Sequence, residues 1–145
     1  MEILMDILNA AVYSILAIVL MLGGNFLIDL AIPCHFPTEI KKGNKAVGFL
    51  SAGSFVAIGI LLRAAIMSPA SSSVIYEETL VSGIVSSIVY FAVGIVFSII
   101  GYFVLNAFHK QYNLNEEIGN GNTAAGIVVG GMFIGLAIAI SGVIF

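Results

Sequence analysis

Four long stretches of this chain carry no formal charge, and their lengths decide what must surround the protein. Twenty-two uncharged residues separate Asp6 from Asp29, 17 separate Lys45 from Arg63, 31 separate Glu78 from Lys110, and 28 follow Glu117. Crossing roughly 30 Å of hydrocarbon takes about 20 apolar residues at about 1.5 Å of helical rise each. All four stretches reach that length if the second carries Arg63 at its margin. Composition agrees, with 60% of residues hydrophobic and 9% charged. A water-soluble domain carries about 25% charged residues to keep its surface hydrated. The expected fold is an all-α membrane protein with four transmembrane helices, over about 7–30, 44–67, 80–107 and 122–145.

The acidic start (Glu2, Asp6) lacks the basic opening of a cleaved signal peptide, and Leu20–Leu30 offers no Ala-x-Ala cleavage site, so the first span is expected to remain. With Cys34 as the sole cysteine, no intrachain disulfide forms. A pI near 5.1 gives no electrostatic footprint for nucleic acid.

The segments between spans are short enough for the positive-inside rule. The segment 31–44 and its edge hold Lys41, Lys42 and Lys45, and the segment 108–121 holds His109 and Lys110. The middle segment, 68–79, has no Lys or Arg but carries Glu77 and Glu78. Loops 31–44 and 108–121 are therefore expected in the cytoplasm, with both termini and the turn-forming 68–79 loop outside. Tyr76 on the outer side, and Tyr102, Phe108 and Tyr112 on the inner side, suit an aromatic belt.

The chain also resembles itself. Glu39-Ile40-Lys41-Lys42-Gly43-Asn44-Lys45-Ala46-Val47-Gly48 aligns with Glu117-Ile118-Gly119-Asn120-Gly121-Asn122-Thr123-Ala124-Ala125-Gly126, identical at six of ten positions. The match continues through Gly53/Gly131, Phe55/Phe133 and Ile60/Ile138. With the offset shortened by one residue it includes Val12/Val89, Tyr13/Tyr90 and Gly24/Gly101. Two tandem two-helix repeats are expected, residues 1–67 and 80–145. An even number of helices per repeat inserts both in the same sense, as parallel repeats about a pseudo-two-fold axis along the membrane normal.

The paired Gly-Asn-x-Ala-x-Gly starts of the second and fourth spans resemble the bacterial membrane family called domain of unknown function 350, the YjfL-like proteins. Asn122-Thr123-Ala124-Ala125 is the closer match; Asn44-Lys45-Ala46-Val47 departs from it at Lys45. The resemblance covers the whole chain and implies an inner-membrane location. It transfers no catalytic residues.

The repeated residues have physical readings of their own. Asn44 and Asn122 precede apolar runs, where an Asn side chain accepts from the free N–H groups of the first helical turn. Asp29 and Asn106 occupy equivalent helix ends, with Asn25 one turn before Asp29. Two readings fit these five side chains: helix caps, or the lining of a polar cytoplasmic mouth. Gly126, Gly130, Gly131 and Gly135, matched by Gly48, Ala52, Gly53 and Ala57, set small residues four apart on a helix face, where backbones approach closely. They are expected to pack the second and fourth spans, against each other or across a homo-oligomer interface. Arg63 falls at the outer end of its span, an interfacial anchor with Asp6 as a partner. Cys34, His35 and His109 lack the spacing of a metal site, and no nucleophile–base pair or phosphate loop is visible. The intramembrane serines, Ser51 and Ser54 among them, are expected to bond to their own helix backbones.

The expected function is non-enzymatic and free of cofactors: a module in the lipid bilayer that self-associates or packs with envelope proteins. The alternative is a small oligomeric channel or carrier entered past Asp29, Asn106, Asn44 and Asn122.

Overall fold

Apolar spans in lipid must satisfy every backbone N–H and C=O internally, which makes the helix the only open-chain solution. The computed structural model describes residues 2–67 and 80–144, so the expected 68–79 loop lies outside the described residues. Among the described residues, four helices are long and apolar enough to span a membrane. They are α1 (Glu2–Ala31), α3 (Lys45–Met67), α4 (Leu80–Phe108) and α6 (Thr123–Ile144). Two short helices, α2 (Phe36–Lys41) and α5 (Leu114–Gly119), occupy the segments read from sequence as plain loops. Six residues are far too few to register against a span-length hydropathy signal, and their buried anchors (Phe36 on α2, Leu114 and Ile118 on α5) are isolated apolar positions in polar sequence.

Helix α3 is the centre of the molecule. More than half of its most apolar window is buried, whereas none of that of α1 is. Its main partner is α6. A Cβ built on Gly126 would lie 2.6 Å from Ala46 Cα, and one on Gly130 would lie 2.9 Å from Phe49 O. Gly53 meets Gly130 in turn, its Cβ position 2.8 Å from the Gly130 carbonyl oxygen. Residue numbers rise together along this seam, so α3 and α6 run parallel with their backbones in contact. Only small side chains permit that approach. Ala57 and Ala137 are also buried on these helices.

The small-residue ridge expected from sequence divides in two. Gly53, Ala57, Gly126 and Gly130 are buried. Gly48, Gly131 and Gly135 have nothing within 4 Å of a Cβ position, and Ala52 is exposed. The expected pseudo-two-fold relation fails here. A two-fold that brings Gly126 to Ala46 also brings Gly48 to Ala124, yet both of these are exposed. The halves therefore meet through different faces.

Within each half the packing does match. Gly24 of α1 faces Ile58 of α3, with a Cβ position 2.6 Å from its Cδ1; the equivalent Gly101 of α4 faces Leu136 of α6 at 2.7 Å. A contact of Gly24 with Phe91 and Ile95 joins α1 to α4 as well. Large apolar residues on the remaining faces, Ile15, Leu22, Phe97 and Phe103 among them, are exposed in the chain and face the lipid.

Candidate functional site

The repeated Glu-Ile-x-x-Gly-Asn sequence builds the same turn twice. At the end of α2, Gly43 N donates to Ile40 O at 3.0 Å and Asn44 N to Glu39 O at 2.9 Å. At the end of α5, Gly121 N donates to Ile118 O at 3.1 Å and Asn122 N to Glu117 O at 2.9 Å. These bonds satisfy the last carbonyls of each short helix through a left-handed residue, Gly43 at φ 81° and Gly121 at φ 82°. Glycine takes that conformation without the Cβ penalty.

The asparagine after each glycine starts the next span. Asn44 Oδ1 accepts from Ala46 N at 3.0 Å and Val47 N at 3.2 Å; Asn122 Oδ1 accepts from Ala124 N at 3.1 Å. Each amide nitrogen then reaches back to the glutamate of its own turn, Asn44 Nδ2 to Glu39 Oε2 at 3.0 Å and Asn122 Nδ2 to Glu117 Oε2 at 2.5 Å. Hydrogen bonding from Asn44 first, then from Lys42, holds the Glu39 carboxyl below its ordinary range. Lys42 pairs with Glu39 at 2.8 Å.

Asn44 alone crosses to the other half. Its Nδ2 also lies 2.9 Å from Ile118 O and 3.3 Å from Gly119 O, so one side chain ties the start of α3 to the end of α5. Beside it opens a cavity of about 340 Å³ lined by Glu39, Lys42, Asn44, Lys45, Gly119 and Gly121. A cavity of similar size beside the other turn is lined by Tyr112, Glu117, Asn122, Ala124, Ala125 and Val128, without a wall from the first half.

Asp29 and Asn106 hold the opposite ends of the short helices. Asp29 Oδ1 accepts from Phe36 N at 2.7 Å, and Asn106 Oδ1 accepts from Leu114 N at 3.2 Å. Asn113 adds a cap on Asn115 N at 3.1 Å. Asn25 lies deeper, its Oδ1 2.9 Å from both Ser51 Oγ and Ser54 Oγ. The two serines were expected to bond to their own backbone. Ser54 Oγ does lie 2.8 Å from Ser51 O, but both hydroxyls converge on α1. An amide oxygen in an apolar seam offers a stronger acceptor than a carbonyl already used in the helix ladder.

Tyr102, expected in an interfacial belt, is 1% exposed and donates its hydroxyl hydrogen to Asn115 Oδ1, fastening α5 to α4. Arg63 and Asp6 are both exposed, and no ion pair joins them. An exposed pair gains little from forming one. Among the described residues, no three His, Cys, Asp or Glu side chains are grouped to hold a metal ion.

Cys34 sits half-buried in the turn between α1 and α2. Burial, then the nearby Asp29 and Glu39 carboxylates, push its thiol from 9.0 up to about 11. The thiolate is the reactive form, so its population at neutral pH falls about a hundredfold. Maleimide labelling of Cys34 is expected to be slow at pH 7 and to accelerate about tenfold per pH unit up to the raised pKa. A rate that levels off near pH 9 would contradict this environment. The same shift lowers stability as pH rises from about 9 towards 11, because the unfolded chain ionises first.

Four apolar helices and two turns with internally satisfied polar groups define a multi-pass helical membrane protein. The chain belongs to the family described as Domain of Unknown Function (DUF350), whose model matches residues 2–84 and, again, residues 78–145. It is similar to a UPF0719 transmembrane protein of Aquifex aeolicus (strain VF5), 24% identical over 141 residues, which cover 96% of this chain and 49% of that protein. The chain thus spans about half the length of that curated relative. No solved structure matches.

Proposed function

We propose that this protein is a structural membrane module without catalytic chemistry of its own, which self-associates and serves as a packing unit for envelope partners. The observation that carries this reading is the use of its polar groups. Asp29, Asn106, Asn44 and Asn122 are all engaged at helix ends, and Asn25 is engaged by two serines. Apart from Lys45 and Arg63 near the two ends of α3, what α3 and α6 leave exposed is apolar or small, Gly48, Ala52, Gly131 and Gly135 among it.

In this reading the chain is two tandem two-helix repeats in the inner membrane. Support comes from the double family match and from the paired contacts Gly24–Ile58 and Gly101–Leu136. The parallel course of α3 and α6 supports insertion of both halves in the same sense. Lysines at the α2 turn and Lys110 before α5 favour a cytoplasmic side for both turns, leaving the termini outside.

Purified protein in liposomes is expected to add no ion or solute leak to that of protein-free vesicles. A leak that disappears in Asp29→Asn would overturn the module reading in favour of a channel or carrier. That variant keeps an oxygen for Phe36 N, as Asn106 provides for Leu114 N, and removes only the charge.

A further inference from the structure

We propose that copies of this chain assemble head to tail in the membrane plane, the α6 face of one copy seated on the α2–α3 face of the next. The contact repeats the one that joins the chain's own halves. This rests on the self-association and duplication proposed above and specifies which surfaces meet.

The internal seam pairs two different faces. The first half contributes Ala46, Gly53 and the Asn44 amide; the second contributes Gly126, Gly130 and the carbonyls of Ile118 and Gly119. The second half's equivalents of the first set are Ala124, Gly131 and Asn122, and all three are exposed. The first half's equivalents of the second set are Gly48, Ala52, Ile40 and Lys41, and all four are exposed too. On α3, Gly48 stands five residues, or roughly 140°, around the helix from Gly53, so the used and unused faces point apart. A contact between unlike faces leaves one of each unfilled. Pairing like face with like face cannot repeat this contact, whereas a second copy presents the matching surface at either end.

Three further observations favour a second copy as the occupant. Asn44 Nδ2 reaches two carbonyls across the seam, while Asn122 Nδ2 reaches only its own Glu117; the neighbour's Ile40 and Lys41 carbonyls are the equivalent acceptors. The cavity at Glu117 and Asn122 lacks the wall that Gly119 and Gly121 give its counterpart. The neighbour's Lys41 and Gly43 supply that wall. Finally, the charges agree: Lys41 and Lys42 arrive beside Glu116 and Glu117, where the internal seam has only Gly119 and Asn120. Ala52 in place of Gly130 asks for a slightly wider separation than the internal seam. The series closes as a ring when the rotation per copy divides a full turn.

Gly48→Leu and Gly131→Leu each block one face, and neither has an atom within 4 Å of its Cβ position in the chain. Both variants are expected to keep wild-type helicity. Size measured by native mass spectrometry in detergent should fall from an oligomer of the wild type to a monomer for each variant alone. Co-expressed, the two variants should form a dimer and nothing larger, because one unblocked face of each kind remains. If either variant alone still assembles like the wild type, the proposed faces are wrong. If the co-expressed pair stays monomeric, the two faces do not pair with each other, and head-to-tail assembly falls while self-association stands. A monomeric wild type removes both. Reversing Lys41→Glu and Glu117→Lys separately should weaken assembly severalfold, and combining them in one chain should restore it; absence of rescue counts against the register.

Discussion

Gly126→Leu is expected to leave little folded protein. A Cβ there would stand 2.6 Å from Ala46 Cα and 2.7 Å from its carbonyl carbon. These are backbone atoms of the central helix, which have no rotamer by which to yield. Accommodating the side chain means prising α3 from α6 along the seam that buries Val47, Leu50, Val129 and Phe133. Overpacking a well-fitted core costs about 1–3 kcal/mol when side chains can move, and a backbone contact places this variant at about 3 kcal/mol or beyond. The measurement is unfolding in mixed micelles followed by loss of helical circular dichroism. Gly48→Leu provides the control, because Gly48 is the repeat equivalent of Gly126 but borders open space. Equal destabilisation by the two would refute the unlike-face packing of α3 and α6.

The second large effect belongs to Asn44. Asn44→Ala removes an N-cap, worth about 1 kcal/mol, together with the bonds that tie Glu39, Ile118 O and Gly119 O to the start of α3. Losing these polar contacts at a part-buried site adds about 1–2 kcal/mol, for about 2–3 kcal/mol in all. Asn122→Ala removes a cap and a local bond to Glu117 only, and is expected to cost about 1 kcal/mol. Asn44→Asp separates the two roles. Its carboxylate keeps the cap on Ala46 N and Val47 N but cannot donate to Ile118 O, and it repels Glu39. It should therefore be nearer to Asn44→Ala than to wild type. Equal losses for Asn44→Ala and Asn122→Ala would mean that the crossing bonds contribute nothing.

Both predictions turn on residues that the sequence marks as equivalent and the structure treats unequally. The repeat Glu-Ile-x-x-Gly-Asn and its capping asparagines were read from sequence, whereas the short helix closed by a left-handed glycine was not, although every bond within a turn joins residues at most five apart. Capping by Asn44 and Asn122, a left-handed Gly43 and Gly121, and the links from Glu39 and Glu117 are all local chemistry. The partners of Asp29 and Asn106 are nearly as local, and matched spacing to Phe36 and Leu114 could have pointed to them. The meeting of Asn25 with Ser51 and Ser54 could not be read this way. It depends on how far α1 slides along α3, which nothing near Asn25 encodes. Tyr102 was misplaced for a similar reason: an aromatic near a helix end looks interfacial until a neighbouring segment folds over it.

The amino-acid sequence by itself determined the solvent and the spans, because the free energy of moving charge into hydrocarbon is a property of each residue that accumulates along the chain. It also determined the turns, whose hydrogen bonds close within a few residues. Only the tertiary structure decided which of two like faces each helix uses, burying Gly126 and leaving Gly48 bare. Two copies of one motif carry the same local information, so their difference can arise only from where each sits against the other.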